Sequence, residues 1–197
     1  MSPEVLLALA GFSFVSSITP GPNNLMLLAS GVNHGFGRTV PHMLGVVCGF
    51  AVLLASVGLG LGQLLTRAPI VYTGFKFAGA AYLLYLAWKI ARSGPPEAAA
   101  DSGRPMTFLE AAAFQWVNPK AWVMAVTSMA VYTSAASYAA SVLTVVAVFT
   151  VINLPCIAVW CGMGVGLKQF LADVRRLRAF NGAMAILLVA SLWPMLQ

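Results

Sequence analysis

Long apolar stretches separated by short polar joints dominate the pattern of the chain. The apolar runs cover approximately residues 5–32, 40–65, 70–91, 107–131, 139–166 and 177–196. A helix needs about 20 apolar residues to cross the hydrocarbon of a bilayer, and each run is long enough. Spanning strands would show about ten residues of alternating polarity, which these runs lack. Because a backbone in lipid must satisfy its own hydrogen bonds, the runs predict six transmembrane helices.

The composition also favours lipid as the solvent. Hydrophobic residues make up 60% of the 197 residues, charged residues only 8%, and the mean hydropathy is +0.87. A soluble domain carries about a quarter charged residues, so a water-soluble chain of this composition would expose large apolar patches. The net charge of +6 is scattered between the runs. Since no basic face forms, we expect no nucleic-acid partner.

The two halves of the chain resemble each other on either side of a polar linker at residues 93–106. Three short motifs recur in the same order at offsets of 99 to 104 residues: 19–20 with 118–119, 58–62 with 162–166, and 77–80 with 180–183. A repeat at 1–92 and another at 107–197 would each hold three spans. An odd number of spans inverts the second copy, as in many secondary transporters. Chance similarity between apolar helices is the alternative.

Proline-containing motifs interrupt the first and fourth runs near their middle. The first interruption is Thr19, Pro20, Gly21, Pro22, Asn23 and Asn24, and the second is Asn118, Pro119 and Lys120. Proline cannot donate a backbone hydrogen bond and clashes with the preceding turn. Thr or Asn followed by Pro is also how a helix begins. The predicted fold is therefore an all-α integral membrane protein of six transmembrane helices in two inverted three-helix repeats, with helices one and four broken within one membrane domain.

A helix that restarts in mid-membrane offers the two features that an amino-acid zwitterion needs. Its N-terminal N–H groups and positive dipole end attract a carboxylate. The carbonyls of Ser16, Ile18 and Gln115, which lose their partners to the prolines, can accept from an ammonium group. The sequence therefore predicts a small-molecule site at the breaks. The alternative is a pair of kinked helices whose carbonyls are satisfied by neighbouring side chains.

Lys120 carries the one charge near mid-membrane, and such a charge is a functional hypothesis by default. Snorkelling, or an ion pair with Glu110, is the alternative. Asn153 and Pro155 form a third and weaker break in the fifth run. The predicted substrate-binding residues are Thr19, Pro20, Gly21, Pro22, Asn23, Asn24, Asn118, Pro119, Lys120 and Asn153.

No pattern of catalytic residues is present, so we predict neither an enzyme nor a cofactor. Three cysteines, an odd number inside apolar runs, argue against a disulfide framework. His34, His42 and Cys48 match no compact ligand spacing, so no metal site is predicted. The tryptophans are interpreted as interface anchors or packing residues. Glycine pairs four residues apart predict close helix packing: 45 with 49, 58 with 62, and 162 with 166.

The distribution of Lys and Arg predicts the orientation. The joints near 33–39, 92–106 and 167–176, with their flanks, hold Arg38, Lys89, Arg92, Arg104, Lys168, Arg175, Arg176 and Arg178. The opposite side holds Arg67 and Lys76. The first group is therefore predicted to face the cytoplasm, with both termini on the outer side. If the first run is re-entrant, the N-terminus lies inside instead.

Several of these motifs together resemble the LysE/RhtB amino-acid exporter family. The resemblance rests on the motifs ITPGPNN at 18–24, HGFGR at 34–38, Gly45, GAAYL at 79–83, LAWK at 86–89 and NPK at 118–120. Within the family, the chain is most similar to the cysteine and O-acetylserine efflux branch. The resemblance implies a secondary exporter of small amino acids in the bacterial inner membrane, driven by the proton gradient and forming a homodimer. An exporter of metal or other ions, or a non-transporting scaffold, are the alternatives.

Overall fold

The structure, a computed structural model, describes residues 1–61, 69–92 and 104–191. These residues form α-helices joined by short turns, and no strand occurs among them. The helices are α1 (Pro3–Ile18), α2 (Pro22–His34), α3 (Phe36–Ser56), α4 (Pro69–Ala91), α5 (Phe108–Phe114), α6 (Pro119–Tyr132), α7 (Tyr138–Leu167) and α8 (Val174–Ala190). The all-helical prediction is confirmed for the described part of the chain.

Two helical segments are long and apolar enough to cross a membrane on their own. They are Phe36–Gly60, with 25 residues, and Ala135–Leu167, with 33 residues. Helices α1 and α2 pass the same test only as a pair, bent by 54° at the break between them, and count as one further span or a re-entrant loop. Within the described ranges, length and composition thus identify two or three spans. The six-span inverted repeat stays a prediction.

The two glycine motifs that match in sequence, at 58–62 and 162–166, differ in conformation over the described residues, which leave out Gly62. A π-helical turn, Val57–Leu61, follows α3, and Gly60 has a φ of 104°, which glycine adopts readily. In contrast, α7 stays helical to Leu167, through Gly162 and Gly166. It also stays helical at Pro155, so this proline does not interrupt the fifth run as the sequence predicted.

The long helix α7 lies at the centre of the bundle and packs against α1, α2 and α3. The short helix α5 packs on α3, and α4 packs on α8. Buried side chains that include Leu27, Val46, Phe114 and Ile157 form an apolar cluster that we call the first core cluster. Leu143 on α7 is 69% exposed, and many other large apolar side chains also point outward, as a lipid-facing surface requires.

Glycines bring α2 and α7 into backbone contact, but not the predicted pair. A Cβ on Gly31 would overlap the carbonyl oxygen of Cys161, and one on Gly164 would overlap that of Leu28. At Gly162 and Gly166 an added Cβ meets no described atom within 4 Å. The pair predicted at 162 and 166 therefore faces away from the neighbouring helix. The prediction for residues 45 and 49 is confirmed, since both pack against the backbone of α5.

Candidate substrate site at the two helix breaks

The first break lies between Ile18, the last residue of α1, and Pro22, the first residue of α2. A residue before proline avoids the helical region. Thr19 accordingly has ψ 147° and Gly21 has φ −176° and ψ 176°, both extended. The predicted helix start at Thr19 and Pro20 is wrong, because α2 begins at the next proline, Pro22. Thr19 instead caps the C-terminus of α1, where its N–H donates to the carbonyl of Val15 at 3.1 Å.

Side chains replace the backbone partners that the prolines remove. The Thr19 hydroxyl donates to the carbonyl of Ser16 at 3.2 Å, and the Trp160 indole N–H donates to that of Ile18 at 2.9 Å. The Asn24 amide donates to the carbonyls of Ser17 and Thr19, both at 2.8 Å. Trp160, which we had assigned to anchoring or packing, is therefore a structural part of the break. The side chains of Thr19, Asn24 and Trp160 thus donate hydrogen bonds to backbone carbonyls at the break, which lipid could not do.

The second break follows α5, where residues 115–117 form a turn before α6. Asn118 is the N-cap of α6, with φ −86° and ψ 111°, and its side-chain oxygen accepts from the N–H of Lys120 at 3.2 Å. Pro119 is the first helical residue, where a missing N–H costs nothing. The prediction of an N-cap followed by proline is confirmed at this break.

The Lys120 side chain crosses from the second break to the first. Its Nζ donates to the Thr19 carbonyl at 2.8 Å, to the Thr19 hydroxyl at 3.1 Å and to the Pro20 carbonyl at 3.3 Å. Gly21 makes room for it, because a Cβ there would lie 2.8 Å from Lys120 Cδ. The alternative pairing with Glu110 is wrong, since that carboxylate bonds to Arg104 at 2.6 and 2.7 Å.

A reciprocal amide pair also links the two breaks. Asn23 Nδ2 donates to Gln115 Oε1 at 2.8 Å, and Gln115 Nε2 donates to Asn23 Oδ1 at 3.2 Å. Gln115 is fully buried and donates to the carbonyl of Ala111 at 2.8 Å as well. Our site prediction omitted the Gln115 side chain. An amide three residues before Asn118, in a mainly apolar run, was the signal that would have found it.

We predict that this amide pair contributes to stability through mutual coupling. In a double-mutant cycle of Asn23→Ala and Gln115→Ala, the coupling should be about 0.5–1.5 kcal/mol, the range typical of side-chain hydrogen bonds in membrane proteins. Each single variant leaves the other amide without its side-chain partner, so the double variant should lose less than the sum of the two single losses. Thermal unfolding in detergent measures this. Simple additivity of the two losses would show that the pair contributes nothing.

Between the breaks lies a polar hollow with about 350 Å³ of space, its open mouth included. Six of the ten predicted site residues line it: Gly21, Asn23, Asn24, Asn118, Lys120 and Asn153. Thr19, Pro20, Pro22 and Pro119 are not part of the lining and act through the backbone. The other lining residues, which the sequence did not single out as binding residues, are Ser16, Ser17, Phe50, Gln115, Ala121, Met124 and Ile157.

The hollow presents polar groups that have no partner in the described part of the protein. The Ser17 hydroxyl is buried without a hydrogen bond, although its residue is only 4% exposed. The Asn153 amide, 6% exposed, also lines the hollow. The N-terminus of α2 has no side-chain cap among the described residues. Its first-turn residues Asn23 and Asn24 line the hollow, so their backbone N–H groups are available beside it. Groups of this kind are suited to hydrogen-bond a polar solute.

The charges at the hollow favour an anionic group beside a hydrogen-bond acceptor. Lys120 supplies a full positive charge, and the N-terminus of α2 adds the positive end of its dipole. No Asp or Glu is among the lining residues. The carbonyls of Thr19 and Pro20 already accept hydrogen bonds from the Lys120 ammonium group. They are therefore suited to accept from the ammonium group of another molecule.

Comparison with known proteins identifies the family. Residues 14–191 match the family described as LysE type translocator. The chain belongs to this family. LysE-family relatives named cysteine/O-acetylserine efflux protein, from Escherichia coli (strain K12) and Shigella sonnei (strain Ss046), are each 33% identical over 133 residues. That length is 67% of this chain and 67% of either relative. No solved structure matches the chain.

LysE-family membership confirms the resemblance seen in the sequence motifs. Together with the apolar helices, it identifies a multi-pass membrane protein of a translocator family. Among the residues that the structure describes, no three His, Cys, Asp or Glu side chains are placed to share a metal ion. Cys156 and Cys161 are buried and unpaired, whereas Cys48, also unpaired, is exposed rather than buried.

Proposed function

We propose that this LysE-family protein exports a small neutral amino acid or a derivative from the cytoplasm. The candidates are cysteine and O-acetylserine, as in the names of the relatives, and homoserine- or threonine-like compounds. The observation that carries the proposal is Lys120, whose ammonium group bridges the two broken helices at a polar hollow. Lys120 is half-buried within an apolar bundle, where a charged side chain is a functional hypothesis by default.

In the proposed binding mode, a zwitterion inserts between Lys120 and the carbonyls of the first break that Lys120 now contacts. The carboxylate receives hydrogen bonds from Lys120 and from the uncapped first turn of α2. The ammonium group takes the carbonyls of Thr19 and Pro20, which Lys120 occupies in this conformation. Substrate therefore competes with Lys120 for these acceptors, and its entry loosens the bridge between the breaks.

Loosening of that bridge is the proposed trigger for alternating access. Its support is the way the half-helices pack: α1 contacts α7, the long helix of the second repeat, while α5 contacts α3, the long helix of the first. Helix α3 also contacts α7, and α4 contacts α8, so each of these helices packs on the corresponding helix of the other repeat. Two inverted repeats would move against each other about the hollow, with both termini on the outer side of the bacterial inner membrane.

Counterflow in proteoliposomes tests the proposal. We expect the purified protein to exchange labelled cysteine, O-acetylserine, homoserine or threonine, and to exchange lysine poorly, because Lys120 repels a second positive charge. Cysteamine, which lacks the carboxylate of cysteine, serves as the matched control and should not compete. If none of the amino acids crosses the membrane, the chain is a scaffold or carries another solute. If cysteamine competes as well as cysteine, the carboxylate part of the site is wrong.

A further inference from the structure

A second cavity, with about 430 Å³ of space including its open mouth, lies between α2, α3, α4 and residues 104–106. We call it the second chamber. Its polar lining consists of Ser30, Asn33, His34, His42, Lys89 and Arg104. It shares no lining residue with the hollow at the helix breaks. Nothing in the binding mode described above uses it.

The second chamber lies farther along the same two helices that line the hollow. On α2, Asn23 lines the hollow and Asn33 the chamber, a separation of about 15 Å at 1.5 Å per residue. On α3, Phe50 lines the hollow and His42 the chamber, about 12 Å apart by the same measure. The two estimates agree, so the cavities lie one above the other along the bundle.

An apolar layer separates the two cavities. Met26 lines the second chamber and Ile157 lines the hollow, and both belong to the first core cluster with Leu27, Val46 and Phe114. A polar solute passing along α2 would cross this layer when the helices rearrange. The bundle thus has one polar cavity on each side of an apolar layer.

His42 is the least expected member of the lining. Its residue is 1% exposed, and neither ring nitrogen has a hydrogen-bond partner in the described part of the chain. Buried polar groups are almost always paired, so an imidazole with two orphaned nitrogens calls for an explanation. A solute that accepts a hydrogen bond in the chamber supplies the missing partner.

The charges around the chamber select the chemical class of that solute. Among the described residues, the ionisable members of the lining are His34, His42, Lys89 and Arg104, and none of these is acidic. The described carboxylate of Glu110 is engaged by Arg104 at 2.6 Å. The imidazole N–H groups of His34 and His42, in a lining without a described acidic residue, favour a solute that accepts a hydrogen bond, such as an anion. A phosphate-sized or a carboxylate-sized group fits, and an amino acid brings the latter.

We propose that the second chamber is an additional binding site for the substrate carboxylate, with His42 as its hydrogen-bond donor. The inference rests on the proposed export of an amino acid. The chamber holds the solute on one side of the apolar layer, and the hollow holds it on the other. Transport then proceeds through two sites along α2, and His42 is a binding residue of the first or the last of them.

The histidine content of the chain makes this site directly observable, because His34 and His42 are its only histidines. Ring-nitrogen NMR on histidine-labelled protein in detergent therefore gives two sets of signals, which His34→Gln assigns. The experiment uses a Lys120→Met background, which disables the hollow. We expect L-cysteine, kept reduced, and acetate to move the His42 signals saturably. Cysteamine should leave them unmoved.

A second variant tests the donor itself. His42→Phe keeps an aromatic ring but removes the N–H, and His34 still reports from the same chamber. The concentration of L-cysteine that half-shifts the His34 signals should rise about tenfold, the effect of losing one hydrogen bond to a charged group. The proposal would be overturned if neither L-cysteine nor acetate moved the His42 signals. It would also be overturned if cysteamine moved them as much as L-cysteine does. Failed counterflow with intact His42 shifts would reject export but not the site.

Discussion

Replacement of Lys120 by Met should reduce amino-acid export at least tenfold, and up to about a hundredfold, while the protein still inserts and folds. Met has nearly the same length but no charge, so it cannot bind a carboxylate. Hydrogen bonds to charged groups are worth about 1.5–3 kcal/mol, and each 1.4 kcal/mol is a factor of ten. The initial rate of counterflow in proteoliposomes measures the loss.

The fold should survive this change because Lys120 is not the only partner of the first break. The Thr19 carbonyl also accepts from the Asn24 amide at 2.8 Å, and that bond remains. Lys168→Met is the matched control, since that lysine is exposed beyond the end of α7. We expect the control to export at the wild-type rate. Equal export by Lys120→Met would remove Lys120 from the mechanism, provided both variants melt at similar temperatures.

The positions of the two breaks could be predicted because their cause is local. Pro20, Pro22 and Pro119 remove backbone donors wherever they stand, and no packing restores them. Asn118 before Pro119 likewise predicted a helix start that the structure contains. The start of α2 was misplaced because two prolines compete there. Pro20 forces Thr19 to be extended and Pro22 forces Gly21 to be extended, so the helix begins only at the second proline.

The partners of the breaks could not be predicted, since they come from distant parts of the chain. Trp160 reaches the carbonyl of Ile18 across 142 positions, and Gln115 reaches Asn23 across 92. A single sequence shows that Gln115 is polar in an apolar run, but not which way it points. The same holds for Lys120, for which Glu110 was the nearer partner along the chain and Thr19 the actual one.

The glycines show a further limit of patterns read along one helix. The spacing of four residues between Gly162 and Gly166 correctly describes a common face of α7, yet that face meets no described neighbour. Gly164, two positions from each, points about 200° away at 100° per residue and contacts α2. Spacing identifies a face, whereas only the packing of the bundle decides which face is covered.

This contact gives the second large expected effect. Gly164→Ala should lower the stability of the protein by about 1–3 kcal/mol, the usual cost of overpacking. The new Cβ would overlap the carbonyl oxygen of Leu28 and lie 3.0 Å from the backbone nitrogen of Val32. Backbone atoms in two packed helices cannot move aside as a flexible side chain would. Thermal unfolding in detergent should therefore show a clearly lower midpoint.

Gly162→Ala, on the same helix, is the matched control. Its Cβ meets no described atom within 4 Å, and alanine favours a helix over glycine by up to about 1 kcal/mol. Its midpoint should be unchanged or slightly higher, and a fall equal to that of Gly164→Ala would contradict the packing. Export should separate the two variants as well. Because α2 carries Asn23 and Asn24 into the hollow, pushing α2 off α7 displaces the binding groups together with the helix.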